Sequence, residues 1–130
     1  QAQGRRLEQC RLLGGDVHAG KNYIETLDPD ISHVLRGFYF DKVFITVDGI
    51  DLERGYTVNN KNQIGLYTQL ARMTRRFYIL ADSAKYDRRA FASVFPPEKT
   101  CRMITTSGAP QKYLDFYARQ GIPCTVLPFE

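Results

Sequence analysis

The segment at residues 43–47 most restricts how this chain can fold, since Val-Phe-Ile-Thr-Val is almost entirely β-branched or aromatic. Such residues favour extended backbone, and a run without polar alternation is typical of a strand covered on both faces. Strands of that kind lie inside parallel sheets, because the crossover connections place helices over the sheet. The segment therefore predicts a buried strand of a parallel sheet.

Strand and helix patterns alternate along the rest of the chain. Further strands are predicted at residues 10–13, 77–81, 101–106 and 124–127. Helices are predicted to begin near Pro29, at Asn59 or Asn60, and at Pro110, because proline suits a first helical turn and asparagine caps one. This order predicts an α/β fold with a mostly parallel, Rossmann-like sheet and helices on both faces.

The size and composition of the chain indicate one domain spanning residues 1–130. Hydrophobic residues make up 43% of the sequence and charged residues 25%, as in globular proteins. No apolar run approaches the ~20 residues that cross a bilayer, and the polar residues 1–6 do not form a signal-peptide core. We therefore expect a cytoplasmic protein with no membrane contact.

The net charge and the three cysteines give weak indications of the ligands and bonds to expect. The net charge of +4 would favour nucleic acid or phosphorylated ligands, although the basic residues are spread along the chain. Cys10, Cys101 and Cys124 are odd in number and far apart, which argues against a disulfide framework or a zinc site. They are expected to be buried thiols, and no metal or cofactor is expected.

Acidic segments follow two of the predicted buried strands. Asp48-Gly49-Ile50-Asp51 follows residues 43–47, and Asp82-Ser83-Ala84-Lys85 follows residues 77–81. Ligands of open α/β sheets bind outside the carboxyl ends of the strands, so both segments can face one cleft. Carboxylates accept hydrogen bonds from sugar hydroxyls, while an ammonium and backbone N–H groups hold phosphate. The predicted ligand-binding residues are therefore Asp48, Gly49, Asp51, Asp82, Ser83 and Lys85. The alternative is that Asp48 and Asp82 only cap the turns after them.

Several ordered blocks resemble the effector domain of DeoR-family transcriptional regulators. They are Leu-Leu-Gly-Gly at 12–15, Phe-Asp-Lys-Val-Phe-Ile-Thr-Val-Asp-Gly-Ile-Asp at 40–51, Gly-Tyr-Thr at 55–57 and Leu-Ala-Asp-Ser-Ala-Lys-Tyr-Asp at 80–87. The spacing between blocks also agrees, and the match covers nearly the whole chain.

The resemblance implies the effector-sensing and oligomerisation domain of a DNA-binding repressor of sugar metabolism, with a phosphorylated sugar as effector. Members of the family begin with a winged helix-turn-helix that reads operator DNA, and their effector domain begins with a strand and a phosphate-binding loop. Neither has a counterpart in residues 1–130. We therefore expect a partial domain that lacks its first βα units, has an exposed sheet edge and forms a homo-oligomer, a dimer or higher.

An enzyme is the alternative, because the family fold is similar to ribose-5-phosphate isomerase, glucosamine-6-phosphate deaminase and CoA-transferases. The isomerase pattern has its general-base Glu on a helix, where DeoR-type domains usually also have a Glu followed two residues later by a Lys. This chain has Gly65 and Tyr67 at these positions. Isomerisation needs a base within ~3 Å of the transferred proton. No catalytic residue is therefore expected, although His18 in a polar loop and His33 in a helical pattern are the remaining candidate bases.

Gly65 and Tyr67 also change the expected ligand site, because the family's Glu and Lys help to shape it. Asn59, Asn60, Asn62 and Gln63 offer uncharged hydrogen bonds in place of the family's Glu and Lys, and Asn60 is added to the predicted ligand-binding residues. A third interpretation is an oligomerisation module whose ligand site has decayed.

Overall fold

The computed structural model of the chain describes residues 7–130. The segment 1–6, for which no signal peptide is expected, lies outside the described residues. The strands and helices, in chain order, are β1 (Asp16–Ala19), β2 (Ile24–Leu27), α1 (Ile31–Leu35), β3 (Val43–Thr46), β4 (Gly49–Asp51), β5 (Gly55–Val58), α2 (Asn62–Arg72), β6 (Phe77–Ala81), β7 (Ala92–Phe95), β8 (Arg102–Thr106), α3 (Gln111–Arg119) and β9 (Cys124–Leu127). Single 3-10 turns occur at Ser83–Lys85 and Pro97–Lys99.

A four-stranded parallel sheet in the order β3-β6-β8-β9 forms the centre of the fold. Ile45 pairs with Ile79, Ile79 with Met103, and Met103 with Cys124, so one row of apolar side chains runs across the buried face. Helix α2 packs against β3, and α3 against β9. The α/β fold class and the parallel sheet predicted from the sequence are confirmed.

The strand predicted at residues 10–13 is wrong. These residues are not in a strand, and the first extended pairing begins at Asp16, where β1 and β2 form an antiparallel hairpin. Leu12 is 86% exposed, so its apolar side chain does not contribute to the core. A short apolar run becomes a strand only when a partner strand and a covering layer bury it.

A second, antiparallel sheet in the order β4-β5-β7 packs beside the parallel one and was not predicted. Strand β4 has three residues, and β4 and β5 each begin with glycine, so neither has a strong strand pattern. Gly55 has φ +79°, and a Cβ there would lie 2.9 Å from Cα of Pro96, next to β7. Only glycine combines this backbone angle with so close a neighbouring chain.

The two faces of the parallel sheet differ in burial. Val43, Ile45 and Val47 point into the core, whereas Phe44 is 53% exposed and stacks on Tyr78 with ring centroids 4.8 Å apart. The expectation that residues 43–47 form a strand covered on both faces is therefore wrong, because the described residues cover only one face of β3. Along residues 7–130, no helix is both long and apolar enough to cross a bilayer.

The expectation of three buried cysteines is wrong. Cys10 and Cys101 are exposed, and only Cys124 is partly buried, which raises the pKa of its thiol. Cys10 lies in the unpaired segment before β1, and Cys101 lies just outside the amino end of β8, where the sheet meets solvent.

Two tyrosines of α3, Tyr113 and Tyr117, are each 1% exposed but differ in the partners of their hydroxyls. The Tyr113 hydroxyl lies 3.1 Å from the carbonyl oxygen of Ile50 and 2.8 Å from Oδ1 of Asp87, and it accepts the backbone N–H of Asp87 at 3.2 Å. Asp87 has φ 55°, an unusual angle for a residue other than glycine. Tyr113 therefore ties α3 to β4 and to the segment after Lys85.

The Tyr117 hydroxyl is buried beside those of Tyr56, Tyr86 and Thr105. Within the described residues none of these four hydroxyls makes a well-formed hydrogen bond. Burial and the neighbouring tyrosines raise the pKa of Tyr117, so its hydroxyl stays protonated and polar in the core. A buried polar group without a partner loses its hydration without compensation.

We predict that the matched variants Tyr113→Phe and Tyr117→Phe change the free energy of unfolding by different amounts. The first should lower the free energy of unfolding by ~1–2 kcal/mol, since it leaves buried backbone groups without a partner. The second should lower it by less than the first, because the Tyr117 hydroxyl lies among other side-chain hydroxyls and pairs with no backbone group. Urea denaturation followed by circular dichroism measures both. A larger loss in Tyr117→Phe than in Tyr113→Phe would contradict this account of the core.

Candidate functional site

Asp48 lies directly after β3, at the carboxyl edge of the parallel sheet, and is half-buried. Its backbone N–H donates to the carbonyl oxygen of Thr57 at 2.9 Å, and its Oδ2 accepts the backbone N–H of Asn59 at 2.8 Å. The residue thus joins the end of β3 to the segment between β5 and α2. Two cavities open on either side of it, and Asp48 lines both.

The larger cavity, of about 620 Å³, lies between the β1–β2 hairpin and the start of α2. Its lining residues are His18, Tyr23, Glu25, Asp48, Asn59, Asn60, Lys61, Gln63 and Phe91. Most of them carry hydrogen-bonding side chains, and two are aromatic. Such a lining suits a small polar ligand that also has an apolar face.

The start of α2 gives this cavity a positive end. Oδ1 of Asn60 accepts the backbone N–H of Asn62 at 3.0 Å, and the first turn of the helix contains no acidic residue. Lys61 adds an ammonium beside the positive end of the helix dipole. The predicted residue Asn60 therefore lies in the larger cavity, where it also shapes the start of the helix.

The smaller cavity, of about 390 Å³, lies between the ends of β3 and β6. Its lining residues are Thr46, Val47, Asp48, Leu80, Ala81, Asp82 and Lys85. Oδ1 of Asp82 accepts the backbone N–H of Ala84 at 3.0 Å and so begins the 3-10 turn that carries Lys85. Asp82 therefore caps a turn, as the alternative interpretation holds, and lines a cavity as well.

Two predicted residues, Gly49 and Asp51, line neither cavity. A Cβ on Gly49 would lie 2.7 Å from Oγ1 of Thr57, so glycine is needed there for close packing. The Asp51 carboxylate accepts the backbone N–H of Arg54 at 2.8 Å and pairs with Nε of Arg89 at 3.0 Å. These bonds, the one from Arg54 first, hold the pKa of Asp51 below its usual value. Both residues shape the β4–β5 turn beside the site.

Ser83 also lines neither cavity. Its backbone N–H donates to Oγ1 of Thr106 at 2.9 Å, and its hydroxyl contacts the carboxylate of Glu130. Ser83 thus anchors the loop between Asp82 and Lys85 to the end of β8. Of the seven predicted residues, the structure brings Asp48, Asn60, Asp82 and Lys85 to the two cavities.

Five residues that line the larger cavity were not among the predicted ligand-binding residues. They are His18, which was named only as a candidate base, and Tyr23, Glu25, Lys61 and Phe91. Three of them belong to the hairpin, whose strands are short and polar and therefore have no clear apolar alternation. His18 was placed in a loop, but it lies in β1, directly opposite Glu25 in β2. The signal that could have found them is the pair of short polar strands on either side of Gly20.

Gly65 and Tyr67, which mark the departure from the isomerase pattern, both lie in α2. A Cβ on Gly65 would have open space around it, so its surroundings would accommodate a larger side chain. Tyr67 is 8% exposed and belongs to the core, and burial raises its pKa. Within residues 7–130, no cluster of three His, Cys, Asp or Glu side chains is placed to hold a metal ion.

The chain is similar in sequence to known proteins over most of its length. The sequence pattern of the family described as the DeoR C-terminal sensor domain matches residues 6–107. An Escherichia coli O157:H7 protein named as a putative aga operon transcriptional repressor is 27% identical over 88 residues, 68% of this chain and 33% of its own length. An Escherichia coli K12 protein named as a putative sgc region transcriptional regulator is 24% identical over 110 residues, 85% of this chain and 42% of its own.

The chain thus spans about a third to two fifths of the length of these relatives. The matched residues include β3, β6 and the loops that carry Asp48, Asp82 and Lys85. The chain belongs to the DeoR family of transcriptional regulators and carries that family's C-terminal sensor domain.

Proposed function

We propose that this sensor domain binds a phosphorylated sugar across the two cavities that meet at Asp48, and that the bound sugar controls operator binding by the regulator. The observation that carries the proposal is the placement of Asp48. It lines both cavities, with Lys85 in the smaller one and Lys61 and Asn60 in the larger one. A ligand that spans both would find a cation at either end and hydrogen-bonding groups between them.

The linings of the two cavities favour one orientation of that ligand. Each cavity has two carboxylates and one lysine, so formal charge is the same in both, but the amides of Asn59, Asn60 and Gln63 and two aromatic rings line only the larger cavity and suit a sugar. Lys85 lines the smaller cavity on a turn that Asp82 caps. We assign the phosphate to the ammonium of Lys85, and the sugar hydroxyls to Asp48, Asn60 and Gln63. Gly49, Asp51 and Ser83 support the loops that carry these contacts.

Control of DNA binding requires that the ligand favour one arrangement of the regulator over another. The proposed contacts come from the hairpin, α2, and the ends of β3 and β6, so a ligand would stabilise one relative placement of these elements. We propose that residues 1–130 act as one effector-binding domain of a cytoplasmic repressor whose winged helix-turn-helix lies elsewhere in the regulator. The names of the relatives, a repressor and a regulator of transcription, support this role.

Lys85→Ala and Asp48→Asn should each weaken binding of the effector sugar phosphate at least ~10-fold, because each removes a charged hydrogen-bonding partner. The effector is first found by a thermal-shift screen of phosphorylated sugars on the full-length regulator, and its affinity is then measured by titration calorimetry. Lys42→Ala is the matched control, since Lys42 is exposed before β3, at the other end of that strand from Asp48. Unchanged affinity in both site variants would overturn the assignment of the site.

His18 is the observation that favours the enzyme alternative, since it lines the larger cavity opposite Glu25. We nevertheless expect no turnover of the effector, because α2 has no side chain at Gly65 to act as the base of the isomerase pattern. Incubating the regulator with its effector and following the sugar by ¹H NMR measures this. Conversion that disappears in His18→Ala would show an enzyme instead of a sensor.

The chain of residues 1–130 should be a homo-oligomer, a dimer or higher. In the described part of the chain β3 pairs only with β6, so it is an edge strand whose other side is free to pair. Multi-angle light scattering at micromolar concentration measures the mass. A mass of one chain, with and without effector, would contradict the prediction.

A further inference from the structure

Two aromatic side chains of the larger cavity, Tyr23 and Phe91, are 58% and 75% exposed. A single exposed aromatic residue is ordinary in a globular protein. Here two line one otherwise polar cavity, next to Asp48, Asn60 and Gln63. Among the aromatic pairs within residues 7–130, none includes Tyr23 or Phe91, so neither ring packs on another aromatic ring. Their rings are available to a ligand.

The ring of Tyr23 lies across the connection between β1 and β2. The backbone N–H of Gly20 donates to the carbonyl oxygen of Tyr23 at 2.9 Å and closes the turn between β1 and β2. The ring lies over Gly20 so closely that a Cβ there would be 2.7 Å from Cζ of Tyr23. Glycine at position 20 therefore allows the ring to lie across the turn.

The backbone around Phe91 is also fixed. The N–H of Ala90 donates to Oγ1 of Thr57 at 2.8 Å, and Thr57 is fully buried in β5. Strand β7 begins directly after Phe91, at Ala92, and pairs with β5. The phenyl group is thus presented to solvent by a well-anchored segment.

Aromatic rings and polar groups in one cavity match the chemistry of a ring-closed sugar. One face of such a ring presents C–H bonds, which pack on the electron-rich face of an aromatic side chain. The hydroxyls lie around its edge, where carboxylates and amides reach them. An open-chain polyol has no flat C–H face, and it loses more conformational freedom on binding.

We infer that the larger cavity recognises the ring-closed form of the sugar and that Tyr23 and Phe91 determine this specificity. The inference rests on the proposed function and adds the form of the ligand and two contact residues. With phosphate at Lys85, the ring occupies the larger cavity between the hairpin and α2, and its hydroxyls face Asp48, Asn60 and Gln63.

The test uses the full-length regulator and matched pairs of probes. Each pair consists of a ring-locked anhydrohexitol 6-phosphate and the acyclic hexitol 6-phosphate of the same configuration, in the gluco, galacto and manno series. A pentose pair, 1,4-anhydroribitol 5-phosphate and ribitol 5-phosphate, is added. Titration calorimetry should show that the ring-locked member of at least one pair binds ~10-fold or more tightly than its acyclic counterpart, because it combines the aromatic contact with a smaller entropy loss.

Tyr23→Ala and Phe91→Ala should each weaken binding of that ring-locked probe ~5-fold or more and reduce the preference within the pair, since each removes a stacking face. Tyr39→Ala is the control, because Tyr39 is an exposed tyrosine that lines neither cavity. Circular dichroism checks that each variant is folded. Saturation-transfer NMR should show magnetisation passing from aromatic protons to the ring C–H protons of the probe in the wild type.

The outcomes separate this inference from the proposed function. Equal affinity within every pair, or a ring preference that survives in both Tyr23→Ala and Phe91→Ala, overturns the inference and leaves phosphosugar binding intact. If no probe and no natural sugar phosphate binds the wild type, the proposed function fails and the inference fails with it.

Discussion

Parallel hydrogen bonding between β3 and β6 brings Asp48 and Asp82 to the same edge of the sheet. Val43 pairs with Phe77 and Thr46 with Leu80, so the two strands end in register and their acidic loops emerge side by side. Burial of Val43, Ile45, Phe77 and Ile79 on one face holds this register, because a slip of one residue would turn these side chains to the opposite face. The smaller cavity exists because of this pairing.

The loops at that edge are held by contacts from outside the parallel sheet. Buried Thr57 in β5 accepts the backbone N–H of Ala90 through its hydroxyl and that of Asp48 through its carbonyl, so one residue positions both the end of β3 and the segment before Phe91. Tyr113 fixes Ile50 and Asp87 from the side of α3. The small antiparallel sheet therefore serves as a support for the site, and the hairpin adds the remaining wall.

Gly65 and Tyr67, the two departures from the isomerase pattern, have different surroundings in α2. Tyr67 is part of the core, so the position where a lysine would serve chemistry serves packing in this chain. Gly65 leaves open space on α2 beside a helix start rich in amides. Amide side chains can bind the hydroxyls of a ligand by neutral hydrogen bonds, which suits the proposed recognition without proton transfer.

The sequence by itself determined the parallel sheet, the order of its strands and helices, and the loops that carry Asp48, Asp82 and Lys85. It could do so because strands such as residues 43–47 and 77–81 bury the apolar side chains of one face, and the residues after them must then lie at the sheet edge. Only the tertiary structure decided that Gly49, Asp51 and Ser83 support the loops instead of lining a cavity, and that His18, Tyr23, Glu25, Lys61 and Phe91 complete the site. These residues come from short polar strands and connections, whose positions depend on which distant segments pack against them and not on any local pattern.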